Sequence, residues 1–226
     1  MERRVVVSGG SGGLGAAVTR TLLADGWHVV VPYVEERELE RLEPHARLRT
    51  LAADLFDPEA AEAVVAAAGE RLDALVNLVG GFASAGRVHE TPIEDFERQF
   101  ELNLRPTYLL CKAALPRMLE AGAGSIVCVG TRAVVRPFAG AAGYIASKAA
   151  LLAFVDVLAV EYTRDGIRAN AILPSVIDTP ANRAAQPDAD HSRWVTPEAI
   201  AGVIRFLCSE DSAPTSGARI PVYGRA

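Results

Sequence analysis

The sequence predicts an α/β fold, a mostly parallel sheet of seven strands with helices on both faces. Short β-branched runs alternate with longer segments of helical periodicity along nearly the whole chain. A glycine-crowded turn joins the first such run to the first helical segment. Strands joined by helical crossovers lie parallel, because each crossover returns the chain to the same end of the sheet.

In chain order, Val5–Ser8 is the first strand, and helical spacing follows near Gly13–Asp25. Val29–Tyr33, Arg47–Ala53 and Ala74–Val79 read as the next strands, separated by helical segments near Glu35–Glu43 and Pro58–Glu70. Thr91-Pro92-Ile93-Glu94 reads as a capping box with proline at the first helical position, opening a helix to Ala121. Pro106 and Pro116 fall inside it and predict a kink or a split, since proline removes a backbone donor. Ser125–Gly130, Arg168–Leu173 and Arg219–Val222 complete the strands, with helices near Gly143–Arg164 and Pro197–Cys208. Thr196-Pro197 repeats the threonine-then-proline start. The stretch 175–195, rich in Pro, Asp, Asn and Ala, reads as a surface loop or short lid. No repeat or linker divides the chain, so residues 1–226 are expected to form a single domain.

Composition narrows the function classes. Half of the 226 residues are hydrophobic, 23% are charged and the formal net charge is −5, which suits a packed globular protein and excludes a disordered chain. No run of basic residues exceeds two, so neither nucleic acid nor an anionic membrane is an expected partner. A short apolar start and apolar stretches interrupted by charge, as at Asp156, lead to the expectation of a cytoplasmic protein. Cys111, Cys128 and Cys208 lie in apolar settings without metal spacing and read as buried thiols; no metal site is expected. Among the 23 basic residues only Lys112 and Lys148 are lysine.

Five of the 19 glycines crowd into Ser8-Gly9-Gly10-Ser11-Gly12-Gly13-Leu14-Gly15. A glycine turn from strand to helix lets backbone N–H groups approach a pyrophosphate, and the positive end of the helix dipole favours the anion. Such a turn after the first strand of a βαβ pattern marks a doubly wound, Rossmann-type domain. The second constellation is Gly143-Tyr144-Ile145-Ala146-Ser147-Lys148 at a helix start. Tyrosine and lysine four apart share one helical face. An ammonium nearby favours the phenolate and would bring the phenol's pKa of about 10 down towards general acid/base use.

These motifs resemble the short-chain dehydrogenase/reductase family over essentially the whole chain. Gly9-x3-Gly13-x-Gly15 is similar to its glycine motif, and Tyr144 with Lys148 to its YxxxK pair. The resemblance implies a catalytic set of Asn103, Thr131, Tyr144 and Lys148. Thr131 stands 13 residues before the tyrosine, where the family usually has serine; it keeps the hydroxyl and adds a methyl. Lys148 is expected to lower the tyrosine pKa and hold the nicotinamide ribose, and Asn103 to complete a proton relay. Cofactor contacts are implied for Ser8, Gly9, Ser11, Gly13, Leu14 and Gly15 on the turn. They are also implied for Tyr33, Asp54, Leu55, Asn77 and Gly80 after the next strands, and for Pro174, Val176 and Thr179.

The resemblance implies NAD or NADP, acting on a small carbonyl, alcohol, quinonoid or imine substrate. Tyr33 stands near the discriminating position; Glu35 and Glu36 would repel a 2′-phosphate while Arg37 would attract one, and the turn holds no basic residue, which leans towards NAD. The stretches Val79–Ala83, Ala171–Trp194 and Ser216–Ile220 also resemble the quinoid dihydropteridine reductases, which implies pteridines as an alternative substrate class. A non-catalytic nucleotide sensor of the same fold is a further alternative. By family analogy the long helices after Thr91 and Gly143 pair across a homodimer or homotetramer interface.

Overall fold

The computed structural model describes residues 2–225. Seven strands form one all-parallel sheet: β1 (Arg4–Ser8), β2 (His28–Tyr33), β3 (Leu48–Ala52), β4 (Ala74–Asn77), β5 (Gly124–Val129), β6 (Ile167–Pro174) and β7 (Arg219–Val222). Their spatial order is β3-β2-β1-β4-β5-β6-β7. The order reverses between β1 and β4, and that reversal opens a crevice at the carboxyl ends of the strands, where ligands bind in sheets of this kind.

Side chains alternate across the strands, and each face receives its own helices. Val6, Val30, Leu75, Ile126 and Cys128 pack with residues of α2 (Pro58–Ala67), α3 (Ile93–Ala121) and α4 (Ala142–Tyr162). Val5, Val7, Val29, Val31, Val76 and Val127 face the other way, onto α1 (Gly15–Ala24) and the helix Pro197–Cys208. The helix α4 is long and apolar enough to cross a membrane by composition, yet Leu151, Leu152, Val155 and Leu158 are buried in the core against α3 and the sheet. Each such burial contributes about 1.5–3 kcal/mol, which holds the α4 frame in place.

Four local readings change. α3 runs without interruption through Pro106 and Pro116. Pro106 is itself buried, so packing along this helix outweighs the two lost backbone donors. Thr91 does not cap α3: Pro92 occupies the cap position, and the Thr91 hydroxyl donates instead to the carbonyls of Ala85 and Arg87 in the preceding loop. The segment expected as a helix over Glu35–Glu43 is a 3₁₀ turn at Glu36–Arg41 that buries no residue. The expected loop 175–195 carries a short helix, α5 (Pro180–Ala185), capped by Thr179 and followed by a single 3₁₀ turn. The Thr196 hydroxyl caps α6 (Pro197–Cys208), accepting from Ala199 N–H at 3.2 Å, as its sequence indicates.

Candidate active site

The glycine-rich turn leaves β1 and enters α1 at the crevice. Gly9 has φ +67, and a Cβ on Gly15 would stand 1.9 Å from the Gly9 carbonyl oxygen, so the turn closes only with glycine at these places. No side chain caps α1 and its first turn contains no acid. The N–H groups there keep their donor capacity and positive end free of competition from the chain's own side chains, which suits a pyrophosphate. Thr179 closes the turn from above: its methyl lies 3.0 Å from where a Cβ on Gly13 would be.

Two strands further along, the start of α4 faces the ends of β4 and β5. The Thr131 hydroxyl, just beyond β5, accepts from Ala133 N–H at 3.2 Å and stands within side-chain hydrogen-bonding influence of the Tyr144 phenol. Burial pushes the phenol pKa up, and the Thr131 hydroxyl opposes the shift. One helical turn later Lys148, 6% exposed, donates from Nζ to the Val129 carbonyl at 2.8 Å. Desolvation brings its pKa down to about 8. The expected lowering of the tyrosine pKa by Lys148 is therefore absent in this arrangement: the ammonium is turned to a carbonyl of β5, and burial governs the phenol.

Asn103 is fully buried and acts as a clamp. Its Oδ1 accepts from Gly81 N–H at 3.0 Å, while Nδ2 donates to the Gly81 carbonyl and to Ser147 Oγ, both at 3.1 Å. Ser147 in turn donates to the Tyr144 carbonyl at 2.8 Å. The segment after β4 is thus tied through α3 to the backbone of the tyrosine. Gly80 makes room for this junction, since a Cβ there would lie 2.6 Å from Asn103 Oδ1 and 3.0 Å from Lys148 Nζ. Four hydroxyl, amide and ammonium groups with a glycine floor converge on one end of the sheet, an arrangement able to hold a small oxygen-bearing molecule and exchange a proton with it.

The family model described as enoyl-(acyl carrier protein) reductase matches residues 9–224. This chain belongs to the short-chain dehydrogenase/reductase family. Among curated members of the family it is 34% identical to the 2-(R)-hydroxypropyl-CoM dehydrogenase of Xanthobacter autotrophicus, across 99% of this chain and 98% of that one. It is 30% identical to the levodione reductase of Leifsonia aquatica, across 99% and 93%. Among solved structures, a short-chain dehydrogenase/reductase from Burkholderia thailandensis shares 31% identity at a TM-score of 0.89, covering 99% of this chain and 92% of that one. The NADP-bound structure of ElxO superposes with a TM-score of 0.91 over 99% and 98%; at 24% identity it speaks for the fold alone. The protein is accordingly an NAD(P)-dependent oxidoreductase.

The remaining expected contacts of a short-chain dehydrogenase/reductase are placed unevenly. Ser8 is buried, and its Oγ accepts from Leu78 N–H at 3.2 Å, stitching β1 to the end of β4. The Asn77 side chain turns into the core, its Nδ2 lying 3.6 Å from Cys111 Sγ and 3.7 Å from Cys128 Sγ; only its backbone stands at the crevice. The Leu55 and Leu14 side chains likewise pack into the two cores. Tyr33 ends β2 half-buried, and Asp54 is exposed beyond β3, accepting from Phe56 N–H at 3.0 Å. Pro174 ends β6, and the Val176 carbonyl accepts from Val195 N–H at 3.1 Å, closing the base of the 175–195 excursion. Ser11 is buried, and its hydroxyl donates to Glu38 Oε2 at 3.1 Å.

Glu38 and Ser147 were not singled out from the sequence. Ser147 stood inside the Tyr–Lys motif, where its helical position relative to Asn103 carried no signal. Glu38 lies on the 3₁₀ turn, and only the tertiary path brings it to the glycine turn. The three cysteines are buried thiols, with burial pushing Cys128 up to about 11 and Cys208 up to about 12. Among the described residues no group of three or more His, Cys, Asp or Glu is placed to hold a metal ion. A cavity of about 790 Å³ opens at the opposite end of the sheet among the ion pairs Arg3–Asp25 and Arg71–Asp73, away from the tyrosine.

Proposed function

We propose that this protein transfers hydride between a nicotinamide cofactor and a small carbonyl or alcohol, with Tyr144 giving or taking the proton. The juxtaposition of the Thr131 hydroxyl and the buried Tyr144 phenol, one helical turn from the buried Lys148, carries this reading. When bound, the nicotinamide ring supplies or accepts the hydride. A substrate oxygen between the two hydroxyls accepts a hydrogen bond from Thr131 while Tyr144 hands its proton to that oxygen. Burial keeps the phenol protonated at neutral pH, the form that reduction requires. Lys148, with a pKa near 8, stays mostly charged at pH 7 and in this reading holds the nicotinamide ribose. Asn103 and Ser147 hold the tyrosine backbone in register with the β4 end.

NAD is the preferred cofactor in this reading. The Glu38 carboxylate is anchored on Ser11 of the glycine turn, and Arg37, the nearest candidate for a 2′-phosphate, is paired with Glu35 at 2.5 Å. The chain also associates with a second copy in this reading, through the outer face of α3 and α4, where Tyr108, Leu119, Val157 and Val160 stay exposed.

Replacing Tyr144 by Phe tests the mechanism. Turnover falls by about 10²–10⁴-fold, the usual contribution of a positioned acid, while NADH affinity, read by cofactor fluorescence, holds within a few-fold. Retained turnover overturns the role of Tyr144. Binding of NADH and NADPH without oxidation of either, across ketones, quinones and pterins, overturns the enzymatic reading of this site.

A further inference from the structure

Beside the Tyr144 ring lies an aromatic cluster that the proton chemistry does not use. Phe82 meets Tyr144 edge to face, with ring centroids 5.1 Å apart and planes at 85°. Phe138 sits 6.0 Å from Phe82 at 55°. Both phenylalanines are large apolar side chains left more than half in solvent, at 58% and 51% exposure. Single exposed apolar residues need no explanation, but two large rings together beside a polar site do.

Their backbone is held, so the exposure does not arise from slack chain. Phe82 follows the Gly81 peptide whose N–H and carbonyl are both bound by Asn103. The loop carrying Phe138 is laced to the loop carrying Phe82 at Gly140, whose carbonyl accepts from Ser84 Oγ and from Ala85 N–H, each at 2.9 Å. Gly140 has φ +82, which that crossing requires of a glycine. Two loops from neighbouring strands β4 and β5 thus present two rings at a fixed spacing next to the phenol.

We propose that Phe82 and Phe138 form an aromatic platform that selects carbonyl substrates bearing a flat, uncharged ring next to the reacting carbon. The inference rests on the reading of Tyr144 and Thr131 as the oxygen-binding pair. A carbonyl oxygen on those hydroxyls leaves its substituent over the platform, where ring edges and faces give offset or T-shaped contacts that a puckered ring of the same size cannot match. Phe82 is a specificity-determining residue, and Phe138 completes the surface.

The test uses acetophenone and cyclohexyl methyl ketone, matched in size and differing in ring planarity. With NADH and the wild-type protein, kcat/KM for acetophenone exceeds that for cyclohexyl methyl ketone by at least ten-fold. In Phe138→Ala, and separately in Phe82→Leu, the ratio falls towards one, through a rise in KM for acetophenone larger than any change for cyclohexyl methyl ketone. Binding of both ketones to the NADH complex of Tyr144→Phe, followed by ligand-observed saturation transfer, shows the same preference and the same loss without any turnover. Selective binding with no reduction of either ketone by the wild-type protein keeps the platform and overturns the reaction reading. Turnover of both ketones at equal kcat/KM overturns the platform. So does a change of oligomeric state in the phenylalanine variants with the ratio intact, which makes this face an interface between copies.

Discussion

Replacing Asn103 by Ala removes the side chain that joins α3, the end of β4 and the start of α4. Three hydrogen bonds of 3.0–3.1 Å go with it, two on the Gly81 peptide and one on Ser147. Asn103 is fully buried, whereas Gly81 is half-exposed, so water re-satisfies part of the Gly81 peptide, and Ser147 keeps its bond to the Tyr144 carbonyl. At roughly 1 kcal/mol net for each lost bond, plus a share of cavity cost, the variant loses about 2–4 kcal/mol of stability. For a domain of this size that lowers Tm by about 5–12 °C. Urea unfolding followed by circular dichroism measures the first number and scanning calorimetry the second. The functional arm is the NADH affinity and kcat of the variant at a temperature where it is fully folded. The slack in Gly81 and in the tyrosine backbone lowers kcat by at least ten-fold, more than it weakens NADH binding, because the clamp sets proton-transfer geometry. A loss below 1 kcal/mol together with unchanged kcat refutes the clamp.

Glu38→Gln narrows the preference for NADH over NADPH: removing a like charge anchored on the glycine turn relieves roughly 1–2 kcal/mol of repulsion on a 2′-phosphate, so NADPH affinity rises about ten-fold while NADH changes little, as read by fluorescence titration. Gly15→Ala drives its methyl into the Gly9 carbonyl at 1.9 Å, which forces the turn open; NADH binding is lost and stability falls by about 1–3 kcal/mol, and unaltered NADH affinity refutes the turn as its seat. Lys148 has its pKa lowered from 10.5 to about 8, so between those values the unfolded chain binds more protons than the folded one and this group adds stability as pH rises, by about 3 kcal/mol in all. Measured as the wild-type minus Lys148→Met difference in urea stability from pH 7 to pH 10.5, the sum increases with pH; a flat difference shows that Lys148 is not desolvated.

The seven strands, the glycine turn and the Tyr144–Lys148 pair were all legible because each is a short-range pattern, whereas the spatial order of the strands came from the tertiary structure. A strand declares itself by a β-branched run, a turn by its glycines, and two side chains on one helical face by their spacing of four. The failures share a cause. Pro106 and Pro116 argue locally for a broken helix, and packing decided for an unbroken one. Thr91 has the right residue in the right place for a cap, but its hydroxyl found loop carbonyls instead. The tyrosine pKa was read from one neighbour, Lys148, when burial of the ring is the larger influence.

By itself the sequence determined the strands, the helical crossovers and the candidate residues for proton chemistry, since these follow from hydrophobic period and local motif spacing. Tertiary structure decided how those residues are held and what surrounds them. Asn103 reaches Gly81 over 22 residues and Ser147 over 44, and Ser11 reaches Glu38 over 27. Phe82 and Phe138 become neighbours only because β4 and β5 end side by side. Contacts of this kind depend on where a closed chain places separate loops, and no period or spacing along the sequence encodes that distance.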